Sequence, residues 1–157
     1  MARAREVELD CEAPFSVAAA QVVEVRAEEV FEQAHGILDL DDPERVHDMR
    51  VATRRLRAAL EIFAPCFPRK PRRKGLRRVK ALADALGECR DVDVEIELLE
   101  GVAAELAGAD REAVARLLAG MRGEQRRANG DLEAFVTNKR LKRLRRRLRK
   151  LAGSAGR

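Results

Sequence analysis

Apolar residues recur every three or four positions along most of the chain, and this spacing restricts the fold more than any other feature. Between residues 16 and 36 the repeating positions are Val23, Ala27, Val30, Phe31 and Ala34. The same spacing returns in 49–63, 76–86 and 141–151. Because residues three or four apart lie on one face of an α-helix, each segment has one side to bury. The pattern indicates packed amphipathic helices.

Composition favours helices over a sheet. Ala, Leu, Arg and Glu dominate the 157 residues, while aromatic residues make up 3% and neither Trp nor Tyr occurs. A chain of this length corresponds to one ordinary domain with a core of its own. We therefore predict an all-α fold, an up-and-down antiparallel bundle of five to six helices. The predicted helices cover 16–36, 43–63, 72–86, 91–106, 110–138 and 139–152.

Capping residues and helix breakers set the predicted boundaries. Asp42 caps the second helix, and Pro43 takes its first position. Gly87 ends the third helix, and Asp91 opens the fourth as its N-cap. We expect a flexible N-terminal arm over 1–14, a single helical domain over 15–152 and a disordered tail over 153–157.

Charge is segregated along the chain. Residues 1–44 carry 3 basic and 12 acidic side chains, and residues 91–138 carry 5 and 11. Residues 45–90 carry 14 basic and 4 acidic side chains, and residues 139–157 carry 10 and none. The formal net charge of +5 therefore hides two blocks of +10 each. Such basic surfaces attract polyanions through Coulomb forces and counterion release.

The second predicted helix has a basic stripe beside its apolar face. On a helical wheel the apolar face is formed by Met49, Leu56, Leu60 and Phe63. The basic stripe consists of His47, Arg50, Arg54 and Arg57, with the spacing i, i+3, i+7, i+10. At 100° per residue it lies roughly 120° from the apolar face. Apolar residues continue beyond the stripe at Val51, Ala58 and Ile62. This arrangement favours a charged groove between helices, and a solvated Arg-rich face is the alternative.

The third predicted helix repeats the spacing, with Lys70, Arg73, Arg77 and Lys80 in its stripe. Arg90 follows at the predicted junction between the third and fourth helices. Two such stripes facing each other would repel unless an anion lies between them. Arginine suits an anion site because its planar fork donates two parallel hydrogen bonds to phosphate oxygens. We expect the cations of both helices to line one groove.

Two strings along these helices resemble a known family. VHDMRVATRRLRAALEIF is followed 18 residues later by LADALGECRDVDV. In this order they are similar to the first half of a CHAD domain, the conserved-histidine α-helical domain, over about 43–95. The resemblance implies a helical bundle that binds inorganic polyphosphate in a basic channel. At matching positions the channel would be lined by His47, Arg50, Arg54, Arg57 and Arg90. Arg73, Arg77 and Lys80 are added from the helical wheel.

The chain departs from the family pattern in one respect. The family has two related helical halves, whereas no second H-x-x-R segment occurs in these 157 residues, and His35 has no basic stripe after it. We therefore expect a half-length member. Either two chains pair to complete the channel or the polybasic segment 139–152 replaces the missing half. We favour a homodimer because two-fold pairing is the commonest form of assembly.

The segment 139–152 permits three interpretations. Its leucines, Leu141, Leu144, Leu148 and Leu151, form a narrow apolar seam. The helix could pack this seam on the bundle and offer Arg145 and Arg149 to polyphosphate. It could instead be an electrostatic nucleic-acid tail, or its charge could simply balance the acidic helices.

The sequence carries no signature of an enzyme. H-E-x-x-H, P-loop and G-x-S-x-G patterns are absent, and the two histidines lie 12 residues apart with no paired cysteines to complete a metal site. We expect a non-enzymatic binding module with no metal or cofactor. Three unpaired cysteines and the lack of a long apolar run favour a cytoplasmic protein outside the membrane. The resemblance to the polyphosphate-binding family adds the expectation that it associates with polyphosphate granules. Nucleic acid and an acidic partner protein are the competing ligands.

Overall fold

The computed structural model describes residues 3–40 and 42–156 and has five α-helices there. In chain order they are α1 (Phe15–Glu32), α2 (Glu44–Ile62), α3 (Arg69–Glu105), α4 (Gly108–Val136) and α5 (Asn138–Ala152). A single 3-10 turn, Ala64–Cys66, joins α2 to α3, and no strand occurs in the described residues. The predicted all-α helical bundle is confirmed.

The core forms where α1, α2, α3 and α5 meet, with one buried leucine from α4. Its largest fully buried side chains are Met49, Leu56, Leu60, Leu86, Leu132 and Leu148. All of these except Leu132 of α4 are residues that the helical spacing places on the apolar faces of α2, α3 and α5. Each contributes about 1.5–3 kcal/mol when removed from water. The apolar faces therefore orient the rest of each helix, including its charged side.

The predicted break at Gly87 is wrong, because α3 runs through it without interruption. Asp91 therefore lies inside a helix and is not an N-cap. The buried positions continue at helical spacing across the glycine, from Leu82 and Leu86 to Cys89 and onward to Ile96. A glycine inside a helix costs about 1 kcal/mol relative to alanine, which the burial of this continuous face offsets.

Thr137 separates α4 from α5. Its backbone is extended at φ −57° and ψ 141°, and its hydroxyl accepts a hydrogen bond from the backbone N–H of Arg140 at 3.3 Å. This N-cap starts a new helix in another direction, which lets the leucine seam of α5 reach the core. Leu144, Leu148 and Leu151 are buried there against α1 and α3.

The segments outside the helices contact the bundle. The backbone N–H of Arg5 donates to Glu29 Oε1 at 2.7 Å, and that of Gly156 donates to the Cys66 carbonyl at 2.9 Å. The flexible arm over 1–14 and the disordered tail over 153–157 are statements about mobility and stay predictions.

The second half of α3 packs chiefly against α4 and keeps part of its apolar surface in contact with solvent. Val94, Leu98 and Val102, each four residues apart, are 45%, 67% and 43% exposed. Among the described residues, no helix has the length and apolar character that crossing a membrane requires.

Candidate anion-binding surface

The α2 stripe lies beside the core on the side of α2 that faces α3. His47 and Arg50 are half-buried, whereas Arg54 and Arg57 are exposed. Two of the three apolar residues beyond the stripe are not covered by another helix. Ala58 is exposed, and Ile62 is 69% exposed. The stripe is therefore an open face bounded by α3, and the apolar residues Ala58 and Ile62 beyond it lie on the surface instead of under a second helix.

A shared carboxylate joins the stripes of α2 and α3. Glu61 Oε1 accepts a hydrogen bond from Arg57 Nε at 3.2 Å, and Lys80 Nζ on α3 lies 3.2 Å from the same oxygen. Burial opposes ionisation of Glu61, but the hydrogen bonds from Lys80 and Arg57 prevail and lower its pKa below the usual 4.5. The two cations thus lie on either side of one negative charge.

The α2 stripe also approaches α3 at Gly87. A Cβ atom at this position would lie 4.0 Å from Arg50 Nε, so the Arg50 side chain extends along the α3 backbone here. The glycine that the sequence suggests as a helix end instead lies inside α3, next to the Arg50 side chain. Contacts at Gly87 and at Lys80 show that Arg50 and Arg57 both border α3.

Arg90 also lies between α2 and α3, but acidic groups surround it. Its Nη2 is 3.8 Å from Glu44 and 3.9 Å from Glu97, and the side chain is 15% exposed. Buried Asp93 is nearby and accepts a hydrogen bond from Gln125 Nε2 at 2.7 Å. Burial raises the pKa of Asp93, while the Gln125 hydrogen bond and the Arg90 charge act against the increase. Arg90 is therefore the predicted site residue whose charge is most nearly balanced.

The outer face of α3 carries the remaining predicted residues. Arg73 and Arg77 are exposed there and line, together with Lys80, a shallow depression of about 850 Å³. Further cations line it at Arg69, Lys70 and Lys74, and Asp84 is the one acidic residue in its lining. The depression reaches the Glu61 bridge at Lys80, so the α2 stripe and the α3 face form one continuous surface. We call this the α2/α3 basic face.

Most cations of this face form no ion pair with a carboxylate of the described residues. Within residues 3–40 and 42–156, no carboxylate forms an ion pair with Arg50, Arg54, Arg73 or Arg77. The two that do, Arg57 and Lys80, share a single glutamate. Exposed charges of one sign at this density leave positive potential that a polyanion can neutralise.

The cations of α5 divide between two neighbours. Arg145 and Arg149 bind Glu28 of α1, with Arg145 Nε donating at 3.1 Å and Arg149 Nη2 at 3.2 Å. The Arg145 hydrogen bond lowers the pKa of Glu28 below its usual 4.5. Arg145 also lies over the Phe31 ring, 5.5 Å from its centroid. The two arginines expected to face polyphosphate therefore attach α5 to α1, and other α5 cations face α3.

The described residues contain no cluster of three or more His, Cys, Asp or Glu side chains suited to a metal ion. Cys89 is buried, and burial foremost, followed by the nearby Asp93, raises the pKa of its thiol to about 11. A thiol with so high a pKa stays protonated and unreactive at neutral pH. Recognition of anions is the chemistry that the surface supports.

Fold and surface together define an all-α bundle with an extended basic face on α2 and α3. The family model described as "CHAD domain" matches residues 21–157, and the chain therefore belongs to the CHAD-domain family. The match includes α4 and α5, well beyond the two strings over 43–95. The searches of curated proteins and of solved structures produced no match.

Proposed function

We propose that this chain is a non-enzymatic module that binds inorganic polyphosphate on the α2/α3 basic face. The observation that carries the proposal is the group of arginines without carboxylate partners on neighbouring helices: Arg50 and Arg54 on α2, Arg73 and Arg77 on α3. Membership of the CHAD-domain family supports it, because polyphosphate is the ligand associated with that fold. His47, Arg57, Lys80 and Arg90 complete the proposed site.

A linear chain of phosphates suits this face for three reasons. A polyphosphate chain carries negative charge on each of its phosphates, so one chain can neutralise several cations at once. The guanidinium groups can each donate two hydrogen bonds to phosphate oxygens. The face is open and extended, with about 22 Å of helix axis between Arg69 and Asp84 at a rise of about 1.5 Å per residue, which fits a long ligand better than a compact one.

The composition of the face supports the proposal of binding rather than catalysis. Its lining contains cations, one half-buried histidine and few carboxylates, and no nucleophile is paired with a base there. Hydrolysis of a phosphoanhydride would need an activated water or nucleophile in addition to charge stabilisation. We propose that the module holds polyphosphate without cleaving it.

The experiment is a titration of purified protein with polyphosphate by calorimetry. The double variant Arg50→Ala/Arg54→Ala should bind about 10-fold or more weakly, because a hydrogen bond to a charged group contributes roughly 1.5–3 kcal/mol. Its thermal stability should stay constant or rise, since like-charge repulsion on the face is relieved. The matched control is Arg111→Ala/Arg116→Ala on α4, where both arginines are exposed.

The control removes the same charge from a different surface. Equal losses in the two double variants would mean that only net charge matters, and the assignment of the site to α2 and α3 would be wrong. Release of orthophosphate during the titration would disprove the non-enzymatic role.

Competition distinguishes polyphosphate from nucleic acid, whose backbone is also a chain of phosphates. Proteins that hold single strands usually stack bases on aromatic side chains, and no aromatic residue lines the depression on α3. Long-chain polyphosphate should therefore displace a single-stranded oligonucleotide at moderate salt. Failure to displace it would favour nucleic acid as the ligand.

We also propose that two copies of the chain pair, as the absence of a second H-x-x-R segment suggests. The exposed apolar stripe Val94, Leu98 and Val102 on α3 is a surface that a second copy can cover.

A further inference from the structure

A second basic surface lies between α3 and α5. The two helices pack antiparallel through the leucine seam, with Leu148 and Leu151 against Gly75. Along this contact run two open clefts of about 330 Å³ and about 440 Å³. We call them together the α3/α5 cleft.

Both sides of the α3/α5 cleft are lined by cations. The lining cations from α3 are Lys70, Lys74, Arg77 and Arg78, and those from α5 are Arg140, Arg143, Arg147 and Lys150. No aspartate or glutamate lines either part. This differs from the α2/α3 basic face, where Glu61 and Asp84 are present.

The cations of the cleft oppose one another. The charge of Arg147 on α5, followed by burial and by the charges of Arg143 and Arg77, lowers the pKa of Arg78. Within the part of the chain that the structure describes, none of Arg78, Arg143 or Arg147 forms an ion pair with a carboxylate. Meanwhile Glu28 pairs with Arg145 and Arg149 on another side of α5, and the buried leucine seam fixes the orientation of the helix. The protein thus maintains a like-charged cleft instead of letting α5 rotate to relieve it.

From this geometry we propose that the α3/α5 cleft is a second site for the same polyphosphate chain, which continues across α3 from the α2/α3 basic face. The proposal rests on the proposed function. The two surfaces share residues, because Lys70, Lys74 and Arg77 line both the α3 depression and the cleft. A chain lying on the outer face of α3 therefore meets cleft cations without leaving the protein.

Phosphate chains are a better occupant of this cleft than single-stranded nucleic acid. Phe135 is the one aromatic residue that lines it, and Arg140 covers that ring at 5.8 Å from its centroid. Stacked bases need free aromatic faces, whereas phosphates need only the cations that are present.

A ligand long enough to use both surfaces should bind more tightly than a short one. An α-helix with its side chains is about 10–12 Å across, so tripolyphosphate cannot contact α2 and α5 together. Long-chain polyphosphate can, and its second contact is made at high effective concentration once the first has formed. Dependence of affinity on chain length is therefore the property that the second site confers.

The test compares Arg143→Ala/Arg147→Ala with the wild type, using tripolyphosphate and long-chain polyphosphate in parallel. The matched control is Lys139→Ala/Arg146→Ala, which removes the same charge from α5 residues that do not line the cleft. We expect about a 10-fold or greater loss of affinity for the long chain and less than about a 3-fold change for tripolyphosphate. Circular dichroism should show intact helices, since alanine favours helix.

Each other outcome has a distinct meaning. If the cleft variant and its control bind the long chain equally well, the second site does not exist, although the α2/α3 site can still stand. If the wild type itself fails to bind either ligand, the proposed function fails and the second site with it. If an oligonucleotide protects the cleft from arginine modification and long-chain polyphosphate does not, the cleft is a nucleic-acid site and the proposal is wrong.

Discussion

Replacing Glu61 with glutamine should tighten polyphosphate binding, although most substitutions in a binding site weaken it. Glu61 is the carboxylate that Arg57 and Lys80 share, each at 3.2 Å. A polyphosphate chain lying on the α2/α3 basic face competes with Glu61 for both cations and is repelled by its charge. Glutamine keeps the shape and removes the charge, so both cations become available.

The magnitude follows from the exposure of these groups. The side chains of Arg57, Lys80 and Glu61 are all 42–44% exposed, and an exposed ion pair contributes about 0.2–1 kcal/mol. Two such pairs give about 0.4–2 kcal/mol, which corresponds to about a 2- to 30-fold gain in affinity. Calorimetric titration with long-chain polyphosphate measures this directly. The matched control is Glu112→Gln on α4, which changes the net charge equally.

The pH dependence provides an internal check. The pKa of Glu61 in the folded protein is lowered below its usual 4.5. Glu61 therefore stays charged above that pH and is neutralised only as the pH falls through the lowered value. The gain in polyphosphate affinity of Glu61→Gln over the wild type should be complete at neutral pH and should disappear in that acidic range. Affinity equal to that of the Glu112→Gln control at neutral pH would refute the participation of Arg57 and Lys80.

Three further predictions concern the architecture. Gly87→Ala should stabilise the protein by up to about 1 kcal/mol in chemical denaturation, because Gly87 is inside a continuous helix. The new methyl group would lie 4.0 Å from Arg50 Nε, an ordinary van der Waals contact. A clear loss of stability would mean that α3 bends there. Glu28→Gln should lower the melting temperature at neutral pH but not in acid. The lowered pKa of Glu28 gives stability that is present above pH 4.5 and is lost as the pH falls through the pKa of the folded protein. A difference in melting temperature that persists in acid would contradict the Glu28–Arg145 ion pair. Light scattering should give twice the chain mass of 17.6 kDa for the wild type and a single chain mass for Leu98→Glu, whereas a wild-type monomer would remove the pairing proposal.

The core was predictable from sequence because burial follows the helical period. Met49, Leu56 and Leu60 were expected on one face of α2 and are all fully buried. The basic stripe was expected next to them, and Arg50 does border α3. Gly87 and Asp91 are common at helix ends and so predict a break, but the apolar spacing continues through Cys89, and burial of that face keeps α3 continuous.

The division of α5 was not predictable from its own sequence. Arg145 and Arg149 were expected to face the ligand, yet they bind Glu28, while Arg143 and Arg147 face α3. All four lie on a helix that is basic on every side except the leucine seam. Which cations become neutralised depends on where α1 packs, and that is set by tertiary contacts between distant segments.

A crystal structure of the protein with bound polyphosphate tests the central claim most directly. We predict phosphate oxygens within hydrogen-bond distance of Arg50 and Arg54 on α2 and of Arg73 or Arg77 on α3, all from one continuous chain. A phosphate chain that contacts only one of these helices, or that lies on α4, would contradict the claim that α2 and α3 form one binding surface.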